Sequence, residues 1–319
     1  MIEIGRIEGA RERIAGILVE TPVVESRSLG EMAGGRLYLK AENLQKTGSF
    51  KARGAVNRIR LAAEAGSLAG VVTGSSGNHG QAVAFAAARV GVPAYIVVPT
   101  DATQAKVDGA RAYRAEVEFC GTTSRERLTR AAEVAEERGY LMVPPYDDPE
   151  IMAGQGTIGL ELLEQVPDVD TVLVPIGGGG LISGIVSAIK ARRPSVRVIG
   201  VEPAGACAAF LSHQAGRRVE IPAGLTIADG LRTVIPGALT FPIIEEAVDQ
   251  LVTVSDEEIR HAMRAIFTRA KMVVEPSGAC AAAYALRESQ PLAGNTVVAV
   301  MSGGNVDVTA LASLLQSSA

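Results

Sequence analysis

Short apolar runs rich in β-branched residues alternate along the chain with helix-like segments. Continuous apolar runs indicate strands that are covered on both faces, as in parallel sheets. The predicted strands are Leu37–Lys40, Gly70–Thr73, Ala94–Val98, Glu116–Phe119, Thr171–Pro175, Val196–Glu202 and Thr296–Met301. The predicted helices are Gly77–Val90, Ser124–Arg138, Leu181–Arg192, Asp256–Lys271 and Ser277–Ser289. This alternation predicts an α/β fold with parallel sheets and right-handed crossovers.

The chain is long enough for two lobes, and its clearest break is the proline-rich segment from Val143 to Pro149. A length of 319 residues exceeds that of an ordinary single domain. We expect residues 65–146 to form a small domain inserted into a large domain made of residues 1–64 and 147–319. Limited proteolysis near residue 145 tests this division.

Composition argues against nucleic acid and membrane as partners. The formal net charge is −4, and aromatic residues make up 4% of the chain, with no Trp. Basic patches and base-stacking surfaces are therefore not expected. The most apolar long stretch, Gln81 to Pro99, is interrupted by Arg89, Gly91 and Pro93, so we expect a helix and a strand there and no membrane span.

Three separate cysteines, Cys120, Cys207 and Cys280, form no CxxC pair. They are expected to be free thiols in a reducing compartment. The N-terminus shows no basic-then-apolar signal pattern, so the predicted location is the cytoplasm. With only three histidines and no HExxH, a histidine-rich zinc site is not expected.

Three glycine-rich turns follow apolar strands, at residues 74–80, 177–180 and 302–305. Ligands of open parallel sheets bind beyond the carboxyl ends of the strands. Gly177, Gly178, Gly179 and Gly180 let backbone N–H groups converge at the start of a helix, which predicts a phosphate cup. The GxGxxG and P-loop patterns both fail there, so the expected anion is a monophosphate on something other than NAD or ATP.

A polar segment from Glu42 to Ala55 leaves one strand and enters a helix, with Ser49 as the expected N-cap. Lys51 then lies in the first turn. An amine at the positive end of a helix has a lowered pKa, which suits a nucleophile or an imine-forming lysine. Spacing alone leaves a solvated helix lysine as the alternative.

The motifs taken together resemble a known family. Residues 48–55 (GSFKARGA) look like the lysine segment of the fold-type-II pyridoxal-phosphate enzymes. Residues 75–80 (SSGNHG), 153–157 (AGQGT), 177–180 (GGGG) and 302–305 (SGGN) resemble the branch that contains threonine/serine dehydratases and serine racemase. The match is in order and spans roughly residues 20–310. It implies two open, twisted, mostly parallel sheets flanked by helices, with the active site between a large and a small lobe.

The resemblance also implies roles for individual residues. Lys51 would hold pyridoxal 5′-phosphate covalently and move the substrate's Cα proton, and Ser76 would face it across the substrate. The remaining cofactor contacts would be Phe50 against the ring, Asn78 at its phenolic oxygen, Gly177, Gly178, Gly179 and Gly180 at the phosphate, and Ser302 at the pyridine nitrogen. Ser75, Asn78 and His79 would bind the substrate carboxylate.

The expected reaction is α,β-elimination of water from L-threonine or L-serine, giving a 2-oxo acid and ammonia. A neutral hydroxyl at Ser302 makes the ring a weaker electron sink than a carboxylate would, which favours loss of the β-hydroxyl over transamination. Racemisation, or dehydration of 3-hydroxyaspartate or phenylserine, stays open. Tyr146 favours a dehydratase, because in the family that the chain resembles the racemases tend to carry a small polar residue at this position and the dehydratases an aromatic one. A sensing module and an NAD-dependent oxidoreductase fit less well.

Departures from the family concern a metal site and a regulatory domain. Glu202 and the carbonyl of Ala206 match ligands of the metal-dependent relatives, but Ala208 stands where a second carboxylate is expected. One carboxylate with carbonyl oxygens makes a poor Mg²⁺ or Ca²⁺ site. The chain ends soon after the Ser302 strand, where biosynthetic threonine dehydratases add a regulatory domain. A homodimer that acts on a small amino acid is the expected assembly.

Overall fold

The protein is described by a computed structural model, which covers residues 1–66, 68–75, 77–100, 102, 104–289 and 291–316. The helices are α1 Ile4–Ile14, α2 Arg27–Ala33, α3 Lys51–Glu64, α4 Asn78–Val90, α5 Gln104–Arg111, α6 Ser124–Arg138, α7 Pro149–Gln165, α8 Gly180–Arg192, α9 Ala208–Ala215, α10 Thr240–Ala247, α11 Asp256–Ala265, α12 Pro276–Ala285 and α13 Val308–Gln316. The strands are β1 Val23–Glu25, β2 Arg36–Ala41, β3 Val71–Gly74, β4 Ala94–Val98, β5 Glu116–Phe119, β6 Leu141–Met142, β7 Thr171–Pro175, β8 Arg197–Pro203, β9 Gln250–Val254 and β10 Thr296–Met301.

The strands form two sheets. The larger has the order β1-β2-β10-β7-β8-β9, and every neighbouring pair is parallel except β1 with β2. The smaller has the order β5-β4-β3-β6 and is parallel throughout. Helices cover both sheets, and the strands β4, β7 and β10 are buried along their whole length, as the continuous apolar runs predict. The predicted α/β fold with mostly parallel sheets is confirmed.

The strand order explains why the glycine turns converge. β10 lies between β2 and β7, so the turn after Met301 is beside the turn after Pro175. Because parallel strands end at the same edge of a sheet, both turns lie at one edge of the large sheet. Asn78 hydrogen-bonds Glu275 and Asn305, which brings the turn after β3 of the small sheet to the same place.

Close helix packing fixes α3, the helix that begins at Lys51. A Cβ on Gly154 of α7 would lie 2.6 Å from the Cα of Gly54 in α3. On another part of α7, a Cβ on Gly156 would lie 2.9 Å from the carbonyl oxygen of Gly184 in α8. The glycines of the 153–157 motif therefore allow three helices to approach closely, and the position of Lys51 depends on that approach.

Four of the predicted strands and one predicted helix have the observed bounds, and the other predicted elements shift at their ends. The helix predicted to run from Asp256 to Lys271 is α-helical only to Ala265 and continues as a π-helical turn over Ile266–Ala270. The largest omission is α7, which Asp148 and Pro149 signal as N-cap and first residue. This helix was not predicted because it contains Gly154, Gly156 and Gly159, and glycine is unfavourable in the interior of a helix.

The strands of the small sheet lie between residues 71 and 142, inside the predicted small domain. The apolar cluster beneath that sheet also includes Val56 and Ile59 of α3, which the prediction assigned to the large domain. The domain bounds stay a prediction. In the described part of the chain, no helix has the length and apolar character needed to cross a membrane.

Candidate active site

Lys51 is the first residue of α3, and it lies in the first turn as predicted. Its Nζ donates a hydrogen bond to the carbonyl oxygen of Pro145 at 2.6 Å and lies 5.1 Å from the centre of the Phe50 ring. Burial lowers the pKa of Lys51 to about 8. Loss of hydration lowers this pKa, and not the positive end of the helix as predicted. An appreciable fraction of this amine is neutral, and thus nucleophilic, near physiological pH.

The expected N-cap was wrong by one residue. Phe50 is the N-cap of α3, and the hydroxyl of Ser49 is buried with no hydrogen-bond partner among the described residues. Ser49 instead pairs through its backbone with Gly303, and Phe50 N donates to the carbonyl oxygen of Ser302 at 3.0 Å. These contacts join the lysine segment to the turn after β10.

A cluster of buried charged side chains connects α3 with β2 and α7. The guanidinium of Arg53 is fully buried and donates to the carboxylates of Glu42 and Glu161. Lys40 Nζ, also buried, donates to Glu161 at 2.6 Å. Burial alone would raise the pKa of Glu42, but the charges of Arg53 and Lys40 together with the hydrogen bonds from Arg53 and Thr21 outweigh it, and the pKa is lowered. Removing one member of such a cluster leaves an uncompensated buried charge.

The glycine turn Gly177–Gly180 joins β7 to α8 and lies against Tyr146. A Cβ on Gly178 would overlap the ring of Tyr146, and a Cβ on Gly180 would lie 2.8 Å from the Cβ of Tyr146. Gly179 has φ of +95°, the left-handed region that favours glycine. The turn therefore needs glycine for both space and conformation, and it stands at the start of α8, the position that a phosphate cup requires.

Ser302 lies directly after β10 and is buried. Its Oγ donates to the carbonyl oxygen of Ser277 at 3.5 Å, and Ser277 Oγ in turn accepts from the backbone N–H of Gly230 at 2.9 Å. Ser302 therefore presents a neutral hydroxyl at the carboxyl edge of the large sheet.

Asn78 is held from two sides. Its Nδ2 donates to Glu275 Oε1 at 2.8 Å, and its Oδ1 accepts from Asn305 Nδ2 at the same distance. Asn305 also donates to the carbonyl oxygen of Thr47 at 2.7 Å. These bonds fix which way the amide of Asn78 faces. The role of Asn305 was missed, and only the SGGN motif itself signalled it.

His79 is buried, and its Nε2 lies 3.0 Å from the carbonyl oxygen of Val143. Because a carbonyl only accepts, Nε2 carries the proton and Nδ1 is a bare acceptor. Burial, with the nearby Lys51 charge, lowers the pKa of His79 to about 3. The side chain is therefore neutral, and His79 can assist a carboxylate only through its backbone N–H in the first turn of α4.

Ser75 lies just before α4, and its Oγ accepts a 3.4 Å hydrogen bond from the backbone N–H of Gly77. Ser76, the predicted second acid/base group, lies outside the described residues. The backbone N–H groups of Asn78 and His79 open α4, where a helix attracts anions. The predicted carboxylate site thus corresponds to a helix N-terminus.

These residues fit pyridoxal 5′-phosphate. The structure brings together a half-buried amine of lowered pKa, a glycine turn at a helix start and a neutral hydroxyl at a strand end. Lys51, Gly177–Gly180 and Ser302 would hold the aldehyde, phosphate and pyridine ends respectively, with Phe50 and Asn78 beside the ring. The assignment of single residues to these contacts stays a prediction.

The predicted metal ligands, Glu202 and the carbonyl of Ala206, lie at the end of β8 and in the turn that follows it. Both oxygens of Glu202 accept backbone N–H groups at the start of α9, from Ala209 at 3.0 Å and Phe210 at 2.6 Å. Burial raises the pKa of Glu202 to about 8, although a metal ligand must be deprotonated. No group of three or more His, Cys, Asp or Glu that suits a metal occurs among the described residues. An ion at Glu202 and the Ala206 carbonyl stays a prediction, which an assay after EDTA treatment tests.

Comparison with known proteins identifies the class. The chain belongs to the family described as "Pyridoxal-phosphate dependent enzyme", whose sequence model matches residues 14–303. The predicted family, cofactor and fold type are therefore confirmed.

Within this family, the chain is similar to enzymes of three named activities. The chain is 45% identical to the L-threonine ammonia-lyase of Geobacter sulfurreducens over 311 residues, 97% of this chain and 77% of that one. It is also 45% identical to the L-threo-3-hydroxyaspartate ammonia-lyase of a Pseudomonas species, with 96% of each chain covered. The structure of maize serine racemase superposes with a TM-score of 0.94 at 41% identity, covering 98% of this chain and 96% of that one.

Proposed function

We propose that the protein catalyses α,β-elimination of water from L-threonine and L-serine, releasing a 2-oxo acid and ammonia. The observation that carries the proposal is the neutral, buried hydroxyl of Ser302 at the end of β10. A carboxylate there would keep the ring nitrogen protonated and favour transamination, whereas a hydroxyl favours expulsion of a β-substituent. The similarity to L-threonine ammonia-lyase supports this assignment.

The chain's own residues account for binding and proton transfer. The N-terminus of α4, with Ser75 beside it, orients the substrate carboxylate. When bound, pyridoxal phosphate stabilises the negative charge that develops at the substrate Cα. Lys51 Nζ removes the Cα proton, for which a pKa near 8 is well matched. The same amine can return the proton to the departing hydroxyl as water, and the released enamine hydrolyses to the 2-oxo acid and ammonia.

Tyr146 favours dehydration over racemisation. Its half-buried ring lies against Gly178, one residue from the carbonyl of Pro145 that accepts from Lys51. This preference rests on the family resemblance, in which dehydratases carry an aromatic residue at this position and racemases a small polar one. The similarities to serine racemase and to the hydroxyaspartate lyase make those activities the competing outcomes.

A substrate panel with two readouts tests the proposal. We expect rapid 2-oxo acid formation from L-threonine and L-serine, with D-enantiomers below a few per cent of product. L-threo-3-hydroxyaspartate and phenylserine serve as matched β-hydroxy substrates. Faster oxaloacetate release from hydroxyaspartate would contradict the substrate assignment, and accumulation of D-serine would contradict the reaction assignment.

We also propose a homodimer in the cytoplasm. Leu44 and Val273 expose 54% and 43% of their surface, and the hydrogen bond from Asn43 to the Val273 carbonyl brings them together. Neighbouring exposed apolar side chains of this kind favour a protein contact. Light scattering of the loaded enzyme tests the dimer, and a monomer at micromolar concentration would contradict it.

The three cysteines are free thiols, consistent with a reducing compartment.

A further inference from the structure

A residue outside the predicted site, Thr240, hydrogen-bonds the glycine turn Gly177–Gly180. Thr240, the first residue of α10, is fully buried. Its Oγ1 donates to the carbonyl oxygen of Gly178 at 2.7 Å, and the backbone N–H of Gly237 donates to the same oxygen at 3.2 Å. Two donors from one segment therefore fix the direction of this carbonyl.

The direction of one carbonyl determines the direction of the next N–H. The described backbone contains no cis peptide bond, and in a planar trans peptide the C=O and N–H point to opposite sides. With the Gly178 carbonyl held toward α10, the N–H of Gly179 points to the opposite side of the turn. A Cβ on Gly179 would lie 2.7 Å from Thr240 Oγ1, so the two residues are in close contact.

Thr240 is itself fixed in place. The carboxylate of Asp147 accepts the backbone N–H groups of Ala238 at 2.9 Å, Leu239 at 2.8 Å and Thr240 at 3.3 Å. Asp147 follows Tyr146, whose ring fills the space beside Gly178. The same short segment thus packs against the turn directly and holds the start of α10 that bonds it.

We propose that Thr240 is a positioning residue for the cofactor phosphate: by holding the Gly178 carbonyl, it aims the Gly179 N–H into the phosphate cup. A preoriented donor binds an anion without a cost of ordering at the moment of binding. This inference rests on the proposed placement of the phosphate at Gly177–Gly180. In this role Thr240 acts through its contacts with Gly178 and Gly179.

The test compares two cofactors on apoenzyme. Thr240→Val keeps the shape of the side chain but removes the hydroxyl, and Thr240→Ser restores it. Dissociation constants are measured by fluorescence for pyridoxal 5′-phosphate and for pyridoxal, which lacks the phosphate. We expect Thr240→Val to weaken binding of the phosphorylated form roughly tenfold, as loss of one well-placed hydrogen bond does, with pyridoxal binding unchanged and Thr240→Ser close to the parent.

Equal weakening for both cofactors, or no change for either, would overturn the proposal. Asp147→Asn gives a second test if Thr240→Val folds poorly, since it disturbs the start of α10 and leaves Thr240 intact. It should produce the same phosphate-selective loss, and a loss shared with pyridoxal would count against the idea. If the unmodified protein fails to distinguish the two cofactors, the phosphate placement itself is wrong, which separates that failure from a failure of Thr240.

Discussion

Replacing Lys51 by alanine is expected to lower turnover by about a thousandfold or more and to abolish the visible absorbance of the loaded enzyme. The amine is both the proposed point of cofactor attachment and the proposed base at Cα, and either loss alone costs several orders of magnitude. Burial that lowers the pKa of Lys51 to about 8 makes this amine reactive near neutral pH. Steady-state assays with L-threonine and absorbance spectra of the purified variant provide the measurement.

The matched control is Lys46→Ala, because Lys46 lies five residues earlier in the same segment and is exposed. That variant should keep both the absorbance and the turnover of the parent. Lys51→Ala with parental turnover would show that another group carries the chemistry. A loss of both properties in Lys46→Ala would show that the segment is merely sensitive to change.

Gly178→Ala is expected to weaken cofactor binding by about 1–3 kcal/mol, or roughly 5- to 150-fold, because the new methyl overlaps the Tyr146 ring. Gly178 is absent from the described residues with positive φ, so steric overlap and not backbone strain is the cause. Titration of apoenzyme with pyridoxal 5′-phosphate measures the effect.

A second substitution identifies the clash. The atoms that the new methyl would meet belong to the ring of Tyr146, so Tyr146→Ala should restore much of the affinity lost by Gly178→Ala. Gly180→Ala is the comparison: its methyl would meet the Cα and Cβ of Tyr146, which alanine retains. The double variant Gly180→Ala/Tyr146→Ala should therefore stay weak. Equal rescue of both glycine variants, or of neither, would contradict this account.

Features encoded by neighbouring residues were predictable from the sequence. The strand that ends at Pro175 and the glycines that follow it predict a phosphate cup by local rules, and the turn lies where those rules place it. Lys51 is likewise found at the start of a helix. Its identification as the reactive lysine depended on the family resemblance, because a lysine in a first helical turn is common on protein surfaces.

Features made by distant residues were not predictable. Asn305 approaches Asn78 across 227 positions of sequence, and Thr240 approaches Gly178 across 62. Nothing in the local pattern around Thr240 signals that its hydroxyl is buried against a glycine turn. The buried pairing of Arg53 with Glu161 is similar, since its partner lies on α7, a helix that the glycine content concealed.

Local rules also failed where the tertiary contacts compete with them. Ser49 is a strong N-cap type, yet its backbone pairs with Gly303 and Phe50 takes the cap position. Glu202 likewise lies at the expected strand end, and its carboxylate accepts backbone N–H groups of α9, a contact that the local sequence does not signal. At both positions the contacts that decide the role of the residue come from other parts of the fold.

Borohydride reduction followed by peptide mass spectrometry tests the central claim most directly. Reduction converts the bond between a lysine amine and the cofactor into a stable one, and a modified Lys51 resists trypsin. The account predicts that a phosphopyridoxyl group appears on the peptide of residues 47–53, which spans Thr47 to Arg53. A phosphopyridoxyl group on any other lysine, with residues 47–51 recovered as an unmodified peptide, would contradict it.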